Sequence, residues 1–377
     1  MLMKLNFIFG TFFILLIFLS CKSQNSDGVF YNENNTNRTK GILTYNNYLY
    51  ILGQHNFTDK DVERTSTVLC IDTSFKKIWD IHLGDSKTDE RFVNFAIDKQ
   101  GNLYITGHNS ITKSALLIKT NSTGQTIWRK EFKDINGLNE IKLINDTSII
   151  VAGTYLSLNP EITRDIAFVQ KIDSSGIVIW RTPISNDGGL RFLELLDGKI
   201  IFCLNAGIFN GFYPNSKFLI LDQNGVIKNN IDLDLESTGI ELGVKVVQLK
   251  ITSRNKIAIL CHSHNNRNIK MQLIQFENNG NKLSTLKYGD KNQEIIYSPD
   301  DKLFINSGLN ISGEGIKAST IVINENKEQK LYFTQSDKFI KTKFTGSIIL
   351  NNTLYTIGDI FDLEKNTAMW KVEKCNR

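Results

Sequence analysis

The stretch IDKQGNLYITG, residues 97–107, is followed by ALLIKTNSTGQTIW, residues 115–128, and together they decide the fold. In each segment, apolar residues rich in Ile and Leu flank a short run of Asn, Asp, Gly, Ser or Thr. Two strands joined by a tight turn have this pattern, because Gly, Asn and Asp best tolerate the backbone conformations of turns. The two segments therefore predict two successive β-hairpins.

This two-hairpin unit returns about every 50 residues between residue 41 and the C-terminus, a period typical of repeat architectures. The first hairpin is found at residues 42–53, 97–107, 141–153, 192–204, 248–261, 297–308 and 346–358. The second is found at residues 67–79, 115–128, 167–180, 217–229, 272–284 and 320–333. Four short strands per unit, with no helical periodicity between them, predict the blades of a β-propeller.

The seventh unit lacks one strand, because residues 368–375 supply a third strand and the chain ends at Arg377. The apolar segment Gly28–Tyr31 precedes the first complete unit. Its pairing with the last blade would close the ring and remove the exposed edges of an open array. We therefore expect an all-β fold with one β-propeller of seven four-stranded blades over residues 41–377, closed by a strand at residues 28–31.

The N-terminus has the features of a secretory signal peptide, predicted over residues 1–20. Lys4 precedes an apolar run at residues 7–19, which is too short for a stable membrane span. The tetrapeptide FLSC, residues 18–21, resembles a bacterial lipobox, although Phe18 departs from the usual Leu. The resemblance implies cleavage before Cys21 and attachment of lipid to that residue. An ordinary signal peptide with an incidental cysteine is the alternative.

Residues 21–40 are polar and rich in Asn and Ser, which predicts a lipidated tether that does not fold alone. Cys21 is followed by Lys22 and not by the Asp that lipoprotein rules associate with inner-membrane retention. The resemblance therefore favours anchoring in the outer membrane. The net charge of +5 is small and scattered, so we expect no nucleic-acid partner.

The remaining four cysteines, Cys70, Cys203, Cys261 and Cys375, all lie in or beside predicted strands. Four cysteines in an exported protein allow three disulfide connectivities. Buried free thiols are favoured for most of them, because cysteine packs well in a core and strand positions rarely satisfy disulfide geometry.

The first hairpin, DKQGNLYITG, resembles the repeat of bacterial seven-bladed propellers. The second, in IKTNSTGQTIW and QKIDSSGIVIW, resembles the repeat of quinoprotein-like propellers, in which a Trp docks one blade on the next. Trp79, Trp128 and Trp180 carry this likeness, whereas Asn229 and Ser284 replace Trp in later units. The quinone site of such dehydrogenases typically uses two adjacent cysteines. This sequence has no two adjacent cysteines, so no cofactor is predicted. Non-enzymatic relatives include outer-membrane lipoproteins that act as scaffolds.

A candidate binding face follows from the expected topology, because loops between the second and third strands share one face with the loops between blades. One long loop there carries the aromatic side chains of Phe209, Phe212 and Tyr213, which suit a glycan or protein partner. Four histidines are expected just past second strands on the same face: His55, His108, His262 and His264. No Asp or Glu ligand motif accompanies them, so no metal site is predicted.

Charged residues near the starts of the innermost strands are expected at the mouth of the channel: Arg91, Glu140, Arg191, Glu241, Glu294 and Lys341. No catalytic motif accompanies them. The sequence therefore favours a membrane-anchored, non-catalytic binding or scaffold module for a protein or glycan at the cell envelope. The alternative is a carbohydrate-active hydrolase or lyase, for which carboxylates or histidines would have to converge in a central pocket.

Overall fold

The computed structural model describes residues 28–31, 38–55, 65–84, 88–156, 165–185, 190–204, 216–233, 244–252, 254–265, 268–288, 292–297, 303–308, 318–324, 327–332, 339–351, 353–362 and 367–376. Within these ranges the regular structure consists of 28 β-strands in seven four-stranded antiparallel sheets. The N-terminal strand is β1 (Gly28–Tyr31). The all-β propeller predicted from the hairpin repeat is thereby confirmed.

The first three sheets, blades 1 to 3, follow one another along the chain. Blade 1 contains β2 (Arg38–Tyr45), β3 (Tyr48–His55), β4 (Thr65–Asp72) and β5 (Lys77–Leu83). Blade 2 contains β6 (Glu90–Ile97), β7 (Leu103–Asn109), β8 (Ser114–Thr120) and β9 (Thr126–Phe132). Blade 3 contains β10 (Gly137–Asn145), β11 (Ser148–Leu156), β12 (Asp165–Asp173) and β13 (Val178–Ser185).

The remaining sheets complete the ring. Blade 4 contains β14 (Leu190–Leu196), β15 (Lys199–Leu204), β16 (Lys217–Leu221) and β17 (Ile227–Asp232). Blade 5 contains β18 (Val244–Ile251), β19 (Ile257–Asn265), β20 (Asn268–Phe276) and β21 (Lys282–Tyr288). Blade 6 contains β22 (Asn292–Tyr297), β23 (Leu303–Gly308), β24 (Ala318–Asn324) and β25 (Lys327–Tyr332). Blade 7 contains β26 (Phe339–Leu350), β27 (Thr353–Asp362), β28 (Thr367–Asn376) and β1.

Ring closure takes the form that the sequence predicts. Strand β1 pairs antiparallel with β28, with Gly28 opposite Glu373, and becomes the outer strand of blade 7. Blade 1 packs directly on blade 7, where the rings of Phe75 and Tyr355 meet edge to face with centroids 6.2 Å apart. The ring is therefore closed by a strand from each end of the chain.

Every inner strand contains a β-bulge at the same register position. The residues directly after the seven bulges are therefore structurally equivalent, and they are Gly41, Asn94, Glu140, Phe192, Gln248, Glu294 and Gly346. A bulge bends a strand and redirects the side chains that follow it. The repeated bulge thus fixes which residues of each blade border the central channel.

Blades one to three dock on their successors through the tryptophans of their outer strands. Trp128 Nε1 donates to the Ser174 carbonyl at 3.0 Å, and Trp180 Nε1 donates to the Gln223 carbonyl at 3.1 Å. In blade 4, Asn229 occupies the Trp register position, and its Nδ2 donates to the Asn279 carbonyl at 2.7 Å. The hydrogen bond to the next blade is therefore kept where the Trp is replaced.

The two faces of the ring differ in their connections. One face, called here the turn face, lies where the first strand of a blade leads into the second and where the third leads into the fourth, except that in blade 7 the fourth strand is β1 from the N-terminal end. In one turn of this face, Asp173 Oδ1 accepts hydrogen bonds from the backbone N–H groups of Ser175 and Ile177, both at 2.9 Å. The opposite face, called the loop face, carries the connections between second and third strands and between blades.

Candidate functional site

A cavity of about 470 Å³ lies on the axis of the ring and is lined by inner strands of blades 1, 2, 3, 4, 5 and 7. Because the bulges set the register, the post-bulge side chains form one tier of its wall. The residues two positions further along form a second tier, which includes Lys142, Glu194 and Lys250. The cavity is thus a polar channel built from equivalent positions of successive blades.

Glu140 is the carboxyl group of the first tier. Asn94 Nδ2, from the neighbouring blade, donates to Glu140 Oε2 at 3.1 Å and lies 3.3 Å from the Asn139 carbonyl. Burial inside the ring, augmented by the negative charge of Glu194, raises the pKa of Glu140 to about 8 against the opposing effects of Lys142 and Lys250. Glu140 is therefore mostly protonated at neutral pH and can act as a hydrogen-bond donor in the channel.

Glu194 is the carboxyl group of the second tier, and it lies between lysines of the two adjacent blades. Lys142 Nζ is 2.9 Å from Glu194 Oε2, and Lys250 Nζ is 4.0 Å from Glu194 Oε1. The Glu194 side chain is 16% exposed, so this ion pair lies in a partly dehydrated place. Two neighbouring carboxyl groups in one channel thus have different partners, an amide for Glu140 and two lysines for Glu194.

The opposite side of the first tier carries glycines, Gly41 of blade 1 and Gly346 of blade 7. A Cβ added to Gly41 would lie 3.5 Å from Phe95 Cε1, and one added to Gly346 would lie 3.3 Å from Ile42 Cγ2. The first separation is ordinary van der Waals contact, and the second is tighter, so Ile42 would have to shift by a few tenths of an ångström. The two glycines leave room beside a polar arc that runs from blade 2 to blade 5.

A second cluster lies at the start of β6, towards the loop face. Arg91 is held by Asp89, with Nη2 2.7 Å from Oδ2 and Nε 3.1 Å from Oδ1. His108 is opposite Arg91 in the β6–β7 register. Burial, followed by the positive charge of Arg91, lowers the pKa of His108, with Asp89 opposing and Lys40 adding to the effect. A neutral imidazole therefore lies beside a guanidinium group whose positive charge is balanced by Asp89.

The expected histidine positions need correction in one respect. His55, His108, His262 and His264 were expected just past second strands, but β3, β7 and β19 run on through them. The reason is visible at Gly107, where an added Cβ would lie 2.2 Å from the Arg91 carbonyl oxygen, so glycine lets the inner and second strands stay paired. All four positions remain at the loop-face ends of their strands.

The remaining predicted residues are placed to different degrees. For His55, His262, His264, Arg191, Glu294 and Lys341 the structure describes the backbone within strands and not the side chains. Cys21, Phe209, Phe212, Tyr213 and Glu241 lie outside the described residues.

Sequence reasoning missed the arc formed by Asn94, Lys142, Glu194 and Lys250. The missing signal is the bulge, which shifts the inward-facing positions by one residue and cannot be read from hydrophobic alternation. Once the seven repeats are aligned on the bulge, these residues fall at two equivalent positions.

The thiols of Cys70, Cys203 and Cys261 are free and buried. Burial raises the pKa of Cys70 to about 11, and it also raises the pKa values of Cys203 and Cys261. Among the described residues, no group of three or more His, Cys, Asp or Glu side chains is arranged to hold a metal ion. No helix long and apolar enough to cross a membrane occurs in the described parts of the chain.

Comparison with known proteins gives a fold and no family. No protein-family model matches the sequence, and no curated protein matches it either. Solved structures do match. The polysaccharide lyase Uly1 superposes with a TM-score of 0.60 at 10% identity, over 92% of this chain and 91% of that one.

Two further neighbours come from proteolytic enzymes. The β-propeller domain of the Trilobed protease from Pyrococcus furiosus, which has an open velcro topology, matches with a TM-score of 0.55 at 8% identity over 92% of this chain and 96% of that one. The acylaminoacyl peptidase of Pyrococcus horikoshii matches with a TM-score of 0.54 at 10% identity, over 90% of this chain and 52% of that one. At these identities the likeness establishes the fold alone: this chain is a β-propeller, and propeller proteins of its shape include enzymes.

Proposed function

We propose that this chain is a cell-envelope lipoprotein, anchored in the outer membrane through Cys21, whose propeller binds a protein or glycan partner without catalysis. The partner binds at the loop face, over the mouth of the channel. The lipobox-like FLSC segment at residues 18–21 supports the anchor. The closed ring with a polar axial cavity supports a binding role, because such cavities hold ligands in propellers and barrels.

The observation that carries this proposal is that the two carboxyl groups of the channel already have partners within the protein. Glu194 lies within ion-pair distance of Lys142 and Lys250, and Glu140 accepts a hydrogen bond from Asn94. A hydrolytic site needs a carboxylate kept ready for a reacting atom. Here Glu194 is engaged by its neighbours, which favours recognition through hydrogen bonds over bond cleavage.

Affinity capture from detergent-solubilised envelopes tests the binding role. The full-length protein and a Lys142→Met/Lys250→Met variant are used as parallel baits, with Cys21→Ala as the control for anchoring. A partner at the channel mouth should be recovered with the wild type and reduced with the double variant. Equal recovery with both baits, or none above the Cys21→Ala control, contradicts the proposal.

The alternative, a carbohydrate-active hydrolase or lyase, has one specific observation in its favour. Glu140 and Glu194 share a channel, and burial raises the pKa of Glu140 to about 8, a range that suits a general acid at neutral pH. Acid–base glycosidases likewise use one carboxylic acid with a raised pKa beside a second carboxyl group. The structural neighbour that is a polysaccharide lyase is consistent with this alternative.

Glu140→Gln separates the two functions, because Gln keeps the shape and hydrogen-bonding capacity of a protonated Glu but cannot transfer a proton. Neutral and acidic polysaccharides are incubated with wild type and variant, and both reducing ends and unsaturated uronates are measured. A binding module gives no product with either protein and keeps its partner in the variant. Product from the wild type that disappears in Glu140→Gln would establish the enzyme.

A further inference from the structure

Exposed apolar side chains recur at the starts of the outer strands. Ile78, Ile127 and Ile179 directly precede Trp79, Trp128 and Trp180, and Leu283 precedes the residue that occupies the Trp position in blade 5. Ile177 and Val226 occupy equivalent positions in the adjoining turns of blades 3 and 4. These six side chains, called here the apolar rim, are 42% to 60% exposed.

The apolar rim lies at one height on the ring, next to the turn face. In blades 1 to 6 the fourth strand follows the third at that face and runs towards the loop face, so the first residues of these outer strands are level with one another. The six side chains come from five consecutive blades. A flat surface would contact them together, whereas a compact partner would reach only neighbouring blades. The apolar rim is thus spread around the ring, one or two side chains per blade, and a broad planar partner is the kind that fits this arrangement.

The closing strand determines on which side of the ring a lipid anchor must lie. Strand β1 is an outer strand, so it enters from the turn face, and Gly28 pairs with Glu373 three residues before the turn-face end of β28. Cys21 precedes Gly28 by seven residues, which span at most about 25 Å when fully extended. These residues readily place Cys21 beyond the turn face.

The same segment cannot easily place Cys21 beyond the loop face. The chain would have to double back along the seven residues of β28 from Glu373 to Thr367, a rise of about 20 Å. The loops of that face would still lie beyond. An anchor at Cys21 therefore holds the turn face towards the membrane and leaves the loop face directed away from it.

We infer that the turn face docks on the lipid surface, with the apolar rim in contact with the bilayer interface. This inference rests on the lipid anchor of the proposed function. Branched apolar side chains on a protein surface bind the headgroup boundary by removing their area from water. The anchor supplies proximity, and the apolar rim supplies orientation, so the loop face is presented to a partner on the side away from the bilayer.

Tryptophan fluorescence with brominated lipid tests this directly, because Trp79, Trp128 and Trp180 lie beside the apolar rim and are half-buried. The full-length acylated protein is reconstituted into phosphatidylethanolamine–phosphatidylglycerol vesicles with and without brominated phosphatidylcholine. The variant is Ile127→Asp/Ile179→Asp. The matched control is Ile111→Asp, which changes an apolar residue that is 61% exposed on the loop face.

We expect quenching of the wild type and of Ile111→Asp, and loss of quenching in the double variant with its thermal unfolding unchanged. Absence of quenching in the acylated wild type overturns docking, as does equal quenching in the double variant. A dimer in detergent that dissociates in the double variant would assign the rim to a second copy of the chain and also overturn it.

Mass measurement of the N-terminal peptide shows separately whether Cys21 is acylated. If it is not, the anchor of the proposed function is wrong, and docking is decided by flotation of the unacylated chain with the same vesicles. Co-flotation that is lost in Ile127→Asp/Ile179→Asp would then support the lipid-binding rim, and absence of co-flotation would overturn it.

Discussion

The contact between blades 2 and 3 and the contact between blades 4 and 5 solve the same packing problem with different residues. At the first, Trp128 of the outer strand packs edge to face on Tyr104 of its own blade, with centroids 6.2 Å apart, and donates to the Ser174 carbonyl of blade 3. At the second, Phe218 and Phe276 of the third strands pack with centroids 4.6 Å apart, and Asn229 donates to the Asn279 carbonyl.

The difference separates two roles that one tryptophan combines. A Trp in the outer strand supplies both apolar area and a hydrogen-bond donor to the next blade. Between blades 4 and 5 these roles are divided, because two buried phenylalanines supply the apolar area and an asparagine of the outer strand supplies the hydrogen-bond donor. Loss of the Trp from the repeat therefore does not mean loss of blade docking.

Phe218→Ala should cause the largest loss of stability. Phe218 is fully buried in the cluster between blades 4 and 5, so its truncation leaves a cavity and should cost about 3–5 kcal/mol. Chemical denaturation of wild type and variant measures the loss. A cost below about 1 kcal/mol would mean that the phenylalanine pair does not carry this contact.

Trp128→Ala should cost less, about 2–3 kcal/mol, because Trp128 is only half-buried but loses both ring packing and its hydrogen bond. Trp128→Phe keeps much of the apolar area and removes the donor, so it should recover most of the loss. Denaturation midpoints of the three proteins show how much of the stability loss comes from the apolar area and how much from the hydrogen bond. If Phe and Ala variants were equally unstable, the donor and not the area would dominate.

The contact between blades 2 and 3 should also depend on pH, through Glu140. The pKa of Glu140 is raised to about 8 in the folded protein from an ordinary value of 4.5. Between these values the folded state holds a proton that the unfolded state has lost, so stability falls as pH rises through this window. The loss should be on the order of 1–2 kcal/mol, because Glu140 is partly exposed and solvent screening moderates the effect of burial.

Thermal unfolding of Glu140→Gln between pH 5 and pH 8 checks this expectation, because the variant should lack that part of the pH dependence. Glu131→Gln is a control of opposite sign. Hydrogen bonds from Ser114 lower the pKa of the Glu131 carboxyl group, so its contribution is present at neutral pH and is lost as pH falls. Identical pH profiles for wild type and Glu140→Gln would contradict the assignment of Glu140.

Asn229→Ala should have the smallest effect, about 0.5–1 kcal/mol, because one partly exposed hydrogen bond is lost. Asn230→Ala, on the adjacent exposed residue, serves as the matched control. Asn229→Trp sharpens the comparison further. A gain in stability would show that a Trp side chain can still pack between blades 4 and 5. A loss of stability would show that Phe218 and Phe276 already fill that space.

Much of the architecture was predictable because the hairpins are local. The alternation around turns such as Asp98–Asn102 fixes two strands at a time, and repetition fixes the rest, including the closing strand at Gly28–Tyr31. The Asn229 substitution was visible in the sequence, but its preserved hydrogen bond was not, since that bond depends on the distance between two blades.

The channel was predictable only in part. Glu140 was expected at the channel mouth, and it lines the channel. Glu194 was not expected, because the bulge before Phe192 shifts the register and the sequence carries no sign of the shift. The grouping of Lys142, Glu194 and Lys250 depends on the packing of three successive blades, which brings together strands that are about 50 residues apart in the sequence.

The pairing of β1 with β28 also has a consequence for how the protein matures. Within the described sheets, every other pairing joins strands that follow each other along the chain. Gly28 pairs with Glu373, near the other end of the chain. Formation of this strand pair therefore has the largest loop-closure entropy cost and is expected to be late. Until it occurs, β28 keeps an open edge that another chain can pair with. The newly made protein is therefore most prone to aggregation in the interval before its two ends meet.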